Sequence, residues 1–573
     1  MKPDGQLIPF GSWAPDVTPL GTQATPVATN VIPKADGYGP FKDLQDFTQA
    51  LPANCRGFFF ARKSDGSIAV FAGTATNLYL LNNTTFAWAN VSKGGGPYGS
   101  LVSTDNWRFD QFNNLVIAVQ VNTVPQKYDL SGGGPFADLG GSPPSAAHIA
   151  IVNRFVMLTG LLSNPRRVQW SDLDAPETWT AGVGLSDFQD LPDGGASHQV
   201  SGGDAYGVVF QDQSIRTLTY APGSAVVFQI NRISTQDTLY AQYSVINAGT
   251  KTFFCSAQGF KVIESGGLPQ PIGKNFVDKF FFDSVDTGNL QLVIGATDPT
   301  ATRVYWAYKS QQGLAGLFDR ILCYDWSFQT PRWSLLEVSG QYLAALAKPG
   351  LTLEQLDAIA SGALTVLGTA NNGSGAIRLH LNALSNGPFN IVGQNFIEVY
   401  GVGGTVEANG SWHFTVIDAT HIDLTGSAFV NAWTSGGAIG GALDSLPFSL
   451  DSISVAAIAQ LAAFTPLSTL GFFAGANLEA TIETPEVDNQ GIIAKTQGFR
   501  PFTDCPTAMG SIGYRMTAQA TVVYTSETVV NSDGISPQRR TARYQRARLR
   551  LPAGTTWSYA RGISPIGGAA GKR

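Results

Sequence analysis

Short apolar runs separated by turn residues repeat along the first two thirds of the chain. The first set comprises Gly57–Arg62, Ile68–Gly73, Asn77–Leu81 and Phe86–Val91, with Ser64-Asp-Gly66 and Asn82-Asn-Thr84 at two of the junctions. Runs of this length, bounded by Gly, Asn, Asp and Ser, are typical of β-strands joined by tight turns. The segment is therefore predicted to form four short antiparallel strands.

The four-strand set recurs about every 40 to 50 residues. Six such units precede residue 340, the later ones beginning near residues 107, 148, 200, 243 and 290. This recurrence is the pattern of a β-propeller, in which each blade buries its faces against its neighbours and the array closes into a ring. We predict a mainly β chain with about six blades over residues 51–365. Strands from distant parts of the chain, such as Asn477–Glu483, could complete the ring.

The remaining segments differ from these repeats. Residues 1–50 are rich in Pro, Gly and Thr and predict an ordered, extended N-terminal arm, which packs on a neighbouring subunit or seals its own chain. Residues 366–441, dense in Gly and Asn, predict an inserted small β-barrel domain. Residues 442–573 predict a helix followed by C-terminal strands that complete the propeller or a platform.

Two apolar patches have helical spacing. Thr352–Ala360 and Leu450–Phe464 are each predicted to form a helix. The second patch opens a charge-free stretch that extends to Glu479, but Pro466 and several polar residues interrupt it. A spanning helix needs roughly 20 predominantly apolar residues, so a buried helix followed by a strand is favoured over a membrane-active segment.

Composition narrows the functional classes. Charged residues make up only 14% of the chain and the net charge is −6, which argues against a general nucleic-acid binder but is compatible with a conduit through which DNA slides. The low charge also fits a surface covered by neighbouring subunits. The four cysteines lie far apart, which favours buried thiols over disulfides. The N-terminus has no apolar core of a signal peptide.

Catalytic and metal motifs are absent from the sequence. His413 and His421 flank Asp418 and form a weak metal candidate, for which surface histidines are the favoured alternative. The acidic cluster Asp172, Asp174 and Glu177 is more simply explained as a loop cap than as a glycosidase pair. Gly267–Asn275 has only a superficial likeness to a phosphate loop and is predicted to be a turn. We therefore expect no enzyme activity, no cofactor and no metal.

The C-terminal region is strongly basic. From Gly534 to Arg573 there are nine basic residues and no acidic one, and Arg546, Arg548 and Arg550 alternate with apolar residues, so a strand would place them on one face. The candidate contact residues are Arg539, Arg540, Arg543, Arg546, Arg548 and Arg550. Three interpretations remain open: contact with a neighbouring subunit, contact with DNA phosphate, or a face balanced by acidic residues of the chain itself.

Several stretches carry a resemblance to a known family. The segments are Asn153–Leu158, Arg167–Trp179, Phe210–Arg216, Tyr324–Trp326, Arg332–Trp333, Gly475–Glu483 and Arg543–Trp557, of which Trp170-Ser-Asp172 closed by Trp179 is the most recognisable. They resemble tail-tube or nozzle proteins of short-tailed bacteriophages. The resemblance covers about residues 100–340 and 465–565 and contains no catalytic motif.

The inserted section has a likeness of its own. Val392–Trp412 and Phe414–Leu424 look like a small β-barrel module common in phage structural proteins, which is similar to the FCCH domain of ubiquitin-activating enzymes. This likeness implies a decoration or interaction module. It does not imply ubiquitin chemistry, because no cysteine lies nearby.

The nozzle resemblance implies a structural subunit of the virion. Such subunits form a homo-oligomeric ring, usually a hexamer, below the portal and adaptor proteins. Phage DNA passes through the lumen at ejection, tail fibres or spikes attach outside, and the host envelope is contacted indirectly. The alternative is a receptor-binding or carbohydrate-cleaving propeller protein of the tail. A cellular repeat scaffold is disfavoured because the units lack a regular signature such as the W-D dipeptide.

Overall fold

The computed structural model describes residues 7–83, 85–224, 226–330, 332–347, 364–382, 396–418, 420–439, 459–488 and 492–571. Over these residues the chain consists mostly of short antiparallel strands. The prediction of a mainly β chain is confirmed. The helix predicted at Thr352–Ala360 lies outside the described residues, and so does the first part of the one predicted at Leu450–Phe464.

Six sheets of four consecutive antiparallel strands follow one another between residues 58 and 336 and form blades 1 to 6. Their strands are Phe58–Arg62, Ile68–Gly73, Leu78–Leu81 and Trp88–Asn90 in blade 1; Arg108–Phe112, Leu115–Val119, Gln126–Asp129 and Ala137–Asp138 in blade 2; Ala146–Val152, Phe155–Leu161, Arg167–Trp170 and Asp187–Asp190 in blade 3; Ser197–Ser201, Gly207–Gln211, Ile215–Tyr220 and Phe228–Ser234 in blade 4; Ile246–Ala248, Lys251–Ser256, Gly259–Glu264 and Gln270–Pro271 in blade 5; and Ile294–Asp298, Arg303–Tyr308, Arg320–Asp325 and Arg332–Leu336 in blade 6.

A seventh blade closes the ring from distant parts of the chain. Its strands are, in order, Tyr342–Ala347, Ala459–Phe464, Thr469–Phe472 and, outermost, Gln45–Ala50 from the N-terminal arm. The first of these packs beside the inner strands of both blade 6 and blade 1. The β-propeller therefore has seven blades, one more than the sequence units before residue 340.

Buried apolar clusters between neighbouring blades hold the ring together. Between blades 1 and 2 the indole of Trp107 is fully buried, and its Nε1 donates a hydrogen bond to the carbonyl of Thr74 at 2.8 Å. Gly73 lies directly against this ring, where an added Cβ would be 2.4 Å from Cδ1. Only glycine permits this approach, so the tight turn after the second strand is fixed by packing.

The structure corrects two details of the predicted elements. Ala459–Phe464 is a strand and not part of a helix, because it pairs with Tyr342–Ala347 and is buried between blades on both faces. An apolar run buried on both faces has no periodicity that separates a helix from a strand. In blade 3 the sequence unit that begins near residue 148 predicts the fourth strand at Thr178-Trp179, but the fourth strand is Asp187–Asp190. Trp179 lies in the preceding loop, where it is buried and its Nε1 donates a hydrogen bond to the carbonyl of Pro176.

The N-terminal arm seals the body of its own chain. Its strands before blade 7 are Ile8–Pro9, Ala28–Thr29, Val31–Lys34 and Gly37–Pro40. The two-residue strand Ala28–Thr29 pairs with Leu335 of blade 6 on one side and with Ile482 on the other. Phe10 and Trp13 are buried in the core. Of the two roles expected for the arm, the described contacts show the one within the chain.

A two-layered C-terminal sandwich follows the propeller. Its strands are Ala480–Glu483, Val487–Asp488, Ile493–Thr503, Met509–Arg515, Val523–Tyr524, Thr528–Val529, Ser536–Ala542, Tyr544–Leu551 and Ala560–Gly571. One layer continues the sheet of blade 6 through the arm into an eleven-stranded sheet, and the other is a six-stranded sheet that includes three arm strands. Phe499 and Ile563 of the second layer pack with Ile512 and Leu549 of the first.

A closed six-stranded barrel is inserted between the first two strands of blade 7. Its strands are Leu364–Asn371, Ile377–Leu381, Phe396–Tyr400, Gly410–Val416, His421–Thr425 and Ala438–Ile439. Ile377, Leu379, Ile422 and Leu424 are fully buried inside it. The barrel therefore has a hydrophobic core of its own.

Helical structure is sparse in the described residues. The short α-helix Asp278–Ser284 precedes blade 6, and 3-10 turns occur at Lys93–Gly95, Pro192–Gly194, Gln242–Ser244, Thr287–Leu292 and Val406–Ala408. The N–H groups of Lys279 and Phe280 donate to the carboxylate of Asp16 at 2.8 Å. The arm thereby satisfies donors that the first turn of a helix leaves open.

Candidate interaction surfaces and axial cavities

The arginines of Tyr544–Leu551 share one face of the strand. Arg546, Arg548 and Arg550 are half-buried and alternate with the buried residues Ala547, Leu549 and Leu551. Opposite them lie strand Ala480–Glu483 on one side and strand Met509–Arg515 on the other. The partners of the three guanidinium groups are acidic side chains of the same chain.

Glu483 is the centre of this network. Its carboxylate is fully buried and lies 2.6 Å from Nε of Arg548 and 3.0 Å from Nε of Arg546. The hydroxyl of Tyr524 donates to it at 2.8 Å, and the guanidinium of Arg548 stacks on the ring of Tyr524. Burial raises the pKa of Tyr524, and the nearby carboxylate raises it further. One buried charge thus organises two arginines and a tyrosine.

Arg550 is also neutralised within the chain. Its guanidinium lies 2.9 Å from the carboxylate of Glu479 and 2.6 Å from that of Glu527. Three of the six candidate arginines therefore have the acidic partners that the third interpretation requires. Contact of these residues with a second subunit or DNA stays a prediction.

The other three candidates lie at the edge of the six-stranded sheet. Arg539 and Arg540 are exposed on strand Ser536–Ala542, and Arg543 is half-buried just beyond it. The guanidinium of Arg540 stacks on the ring of Tyr514 at 3.7 Å. No carboxylate lies within ion-pair distance of Arg539 or Arg540 among the described residues.

Two cavities lie on the propeller axis. The first, about 350 Å³, is lined by the inner strands of blades 2 to 5, including Arg108, Asp110, Gln199 and Ser201. The second, about 300 Å³, is lined by loops that lead into blades 2, 5 and 6 and by the start of blade 4. The amide of Gln199 donates to the carbonyl of Gln242, which lines the second cavity, at 3.3 Å. This hydrogen bond joins a lining residue of the first cavity to one of the second.

Buried polar groups lie next to this hydrogen bond. His148 is fully buried, contacts the amide oxygen of Gln242 at 3.3 Å, and has its pKa lowered to about 3, mainly by burial. Its Nδ1 atom and the hydroxyl of Ser201 have no hydrogen-bond partner among the described residues. No pattern in the sequence indicates these residues, because they converge only when the blades close into a ring.

Asp110 joins two blades at the first cavity. Its carboxylate accepts the backbone N–H of Gln111 at 2.8 Å and that of Ile151, in blade 3, at 2.9 Å. Burial raises its pKa to about 6, although both hydrogen bonds act in the opposite direction. Asp110 is the one carboxylate among the described residues that line this cavity.

The raised pKa of Asp110 predicts a pH dependence of stability. An unfolded Asp titrates near 3.9, so between about pH 4 and 6 the folded chain holds the proton more tightly and its free energy of unfolding falls as pH rises. We expect Asp110→Asn to lose this contribution. Urea denaturation at pH 4.5 and 7.5 should show the difference between variant and wild type moving in favour of the variant at the higher pH. Exposed Asp204→Asn is the matched control, and an equal movement in both variants would contradict the assignment.

The structure does not bring all three residues of the weak metal candidate, His413, Asp418 and His421, together. His421 stacks on His380 at 4.7 Å and contacts Asp418, whereas His413 lies on the neighbouring barrel strand opposite Thr425. No group of three or more His, Cys, Asp or Glu side chains in the described ranges is arranged to hold a metal.

The acidic cluster and the glycine-rich segment have structural partners. Asp174 pairs with Arg154, Glu177 with Lys127, and Asp172 accepts the N–H groups of Leu173 and Leu185. Within Gly267–Asn275, Gln270–Pro271 forms the edge strand of blade 5, so the segment is more than the predicted turn. All four cysteines are buried free thiols, as predicted.

No helix in the described part of the chain is long and apolar enough to cross a membrane.

Comparison with known proteins gives structural likeness without a family. No model of a known protein family matches the sequence, and no curated protein matches it. A functionally unknown protein from Desulfotomaculum acetoxidans is similar over 49% of this chain and 86% of its own, with 14% identity and a TM-score of 0.33. The WD40 domain of Neurospora crassa Pan2 is similar over 54% of this chain and 91% of its own, with 8% identity and a TM-score of 0.34. The propeller assignment rests on the seven sheets of the chain itself.

Proposed function

We propose that this chain is a structural, non-enzymatic subunit of a virus particle, the ring-forming nozzle that continues the DNA conduit of a short-tailed bacteriophage. The supporting observation is that blade 6, the arm and the C-terminal sandwich share one eleven-stranded sheet. A continuous sheet transmits strain as one unit, which suits a subunit whose task is mechanical. In this proposal the chain takes part in genome retention and ejection.

The centre of the propeller supports passage between subunits and not through one of them. His148, Tyr243 and Tyr342 are buried near the axis. DNA would therefore pass through the opening formed by several copies, with the propeller as wall. The proposed partners are further copies of the chain in a hexamer, the tail adaptor, tail fibres or spikes, and the DNA in the lumen.

A carbohydrate-cleaving propeller is less well supported. Glycoside hydrolysis usually needs two carboxyl groups across the scissile bond. The first axial cavity has Asp110 as its one carboxylate among the described lining residues. Sugar binding without cleavage remains the alternative that an experiment on the ring must separate.

Ring formation is the decisive test of the proposed function. Native mass spectrometry and negative-stain imaging of the recombinant protein and of purified tails should show a closed ring, expected to contain six copies. A closed ring of defined copy number supports the proposed nozzle function. Monomers in both preparations, together with retention on host polysaccharide, would instead favour the receptor-binding alternative.

A further inference from the structure

The outer face of the six-stranded sheet carries cations that have no acidic partner among the described residues. On strand Ile493–Thr503, Lys495 and Arg500 are exposed, while Ala494, Thr496 and Phe499 are buried. The two exposed residues are five apart, and the register shift between Thr496 and Gly498 brings Arg500 back to the face of Lys495. Thr541 pairs with Lys495, and Arg539 lies two residues from Thr541 on the same strand. Residues paired across antiparallel strands, and residues two apart along one strand, share a face. Lys495, Arg500 and Arg539 therefore lie on the same side of the sheet.

Arg540 extends this surface around the edge. It pairs with the buried Thr496, so its side chain leaves the strand on the opposite side from Arg539. Because Ser536–Ala542 is the last strand of the sheet, Arg540 is still exposed, and it stacks on Tyr514. We call Lys495, Arg500, Arg539 and Arg540 the basic edge.

The surrounding charges do not neutralise the basic edge. Residues 492–571 contain ten lysines and arginines against three acidic residues. Glu527 is bound to Arg550, and Asp504 accepts the backbone N–H of Ser558. The third acidic residue, Asp533, is exposed and precedes Gly534, where an added Cβ would be 3.9 Å from Nε of Arg500. Among the described residues, no carboxylate lies within ion-pair distance of any of the four basic-edge side chains. By contrast, the neighbouring Arg515, Arg546, Arg548 and Arg550 all have acidic partners.

The grouping of these cations on neighbouring strands suits a phosphate backbone. Diagonal neighbours on two antiparallel strands, such as Lys495 and Arg539, are about 7 to 8 Å apart. Arginine binds phosphate oxygens through two parallel N–H donors, and cations that continue from one face of a sheet around its edge can follow an extended polyanion. In a chain of net charge −6, such a concentration of unpaired cations has to be explained by an anionic partner or by solvation.

We infer that the basic edge is a binding surface for the phosphodiester backbone of DNA. If the proposed function is correct, this surface lies where the subunit meets DNA in the conduit. The placement in a conduit rests on that function, whereas binding of DNA to the surface does not. Because the contacts are to phosphate, the binding is independent of base sequence and weakens as salt increases.

The test is fluorescence anisotropy of a labelled 30-base-pair duplex with the full chain at several sodium chloride concentrations. The variant replaces all four basic-edge residues with glutamine (K495Q, R500Q, R539Q and R540Q). The matched control replaces four paired surface cations (K93Q, R154Q, K251Q and K279Q), which changes the net charge equally.

We expect the basic-edge variant to weaken binding at least tenfold, while the control stays within about twofold. The slope of log affinity against log salt should be about −3 to −4 for the wild type and approach zero in the variant. Equal losses in both variants, or no wild-type binding in 50 mM salt, would overturn the inference.

Native mass spectrometry of the same proteins separates this inference from the proposed function. A ring that persists in the variant while DNA affinity is lost supports the inference. DNA binding that depends on the four residues in a chain that forms no ring also supports it, and then only the proposed function fails. Loss of the ring with unchanged DNA affinity would make the basic edge a subunit contact and overturn the inference.

Discussion

Replacing Phe47 with alanine is expected to lower the free energy of unfolding by about 3 to 5 kcal/mol. Phe47 is buried in strand Gln45–Ala50, where its ring lies 4.8 Å from Phe86 of blade 1 and 5.2 Å from Phe472 of blade 7. The side chain thus joins the last blade to the first. Its removal leaves a cavity at the point where the ring closes.

The Phe47→Ala substitution should destabilise blade 7 locally as well as lower the stability of the whole chain. Hydrogen exchange is expected to become faster in Gln45–Ala50 and in its partner Thr469–Phe472, while the strands of blades 2 to 4 keep their protection until global unfolding. Urea denaturation followed by tryptophan fluorescence measures the overall change. The expected order is an opening of blade 7 before the other blades.

Gln49→Ala is the matched control for Phe47→Ala. Gln49 is exposed on the same strand, so its truncation should change the free energy of unfolding by no more than about 0.5 kcal/mol. A loss below about 1 kcal/mol in Phe47→Ala would mean that the arm strand does not hold the ring closed.

The repeated part of the fold could be predicted because each blade is local. Four consecutive strands with turn residues between them leave a pattern within 50 residues, and blades 1 to 6 follow it. Blade 7 has no such pattern. The amide of Leu470 bonds to Thr48, 422 residues away in sequence, and nothing in either strand indicates the other.

The outermost strand of blade 7 also could not be predicted from its own residues. In Gln45–Ala50 only Phe47 and Thr48 are buried, so the strand resembles the polar arm around it. In Ala459–Phe464 the opposite holds, since burial on both faces removes the alternation that identifies a strand. The missed strand at Gln45–Ala50 and the helix predicted over Ala459–Phe464 are both errors at places where tertiary contacts determine the secondary structure.

In the candidate site, too, the features that depend on one strand could be predicted, and those that depend on distant contacts could not. Alternation along Tyr544–Leu551 predicts that Arg546, Arg548 and Arg550 share a face, because it depends on the strand alone. The pairing of Arg546 and Arg548 with Glu483 depends on the register of two strands about 65 residues apart. The sequence could therefore name the arginines but could not separate those paired within the chain from Arg539 and Arg540.

Glu483→Ala is expected to lower the free energy of unfolding by about 3 kcal/mol. The substitution leaves Arg546 and Arg548 without their carboxylate and removes the acceptor of the Tyr524 hydroxyl. Breaking a buried ion pair by removing one partner costs about 3 to 5 kcal/mol. We expect the low end because the side chain of Arg548 is 32% exposed and can reach water.

Glu479→Ala provides the comparison that isolates burial. Glu479 also pairs with an arginine of the same strand, Arg550, but its side chain is 50% exposed and Glu527 remains as a second partner. Truncation of Glu479 should lower the free energy of unfolding by less than about 1 kcal/mol, as for exposed pairs.

Glu483→Gln keeps a hydrogen-bond acceptor without the charge, so its loss of stability should fall between those of Glu483→Ala and Glu479→Ala. Urea denaturation of the three variants at pH 7.5 measures this order. Equal losses for Glu483→Ala and Glu479→Ala would mean that the buried carboxylate does not hold the sandwich together. With the expected order, the arginines of Tyr544–Leu551 are structural, and the cations left for an external partner are those of the basic edge.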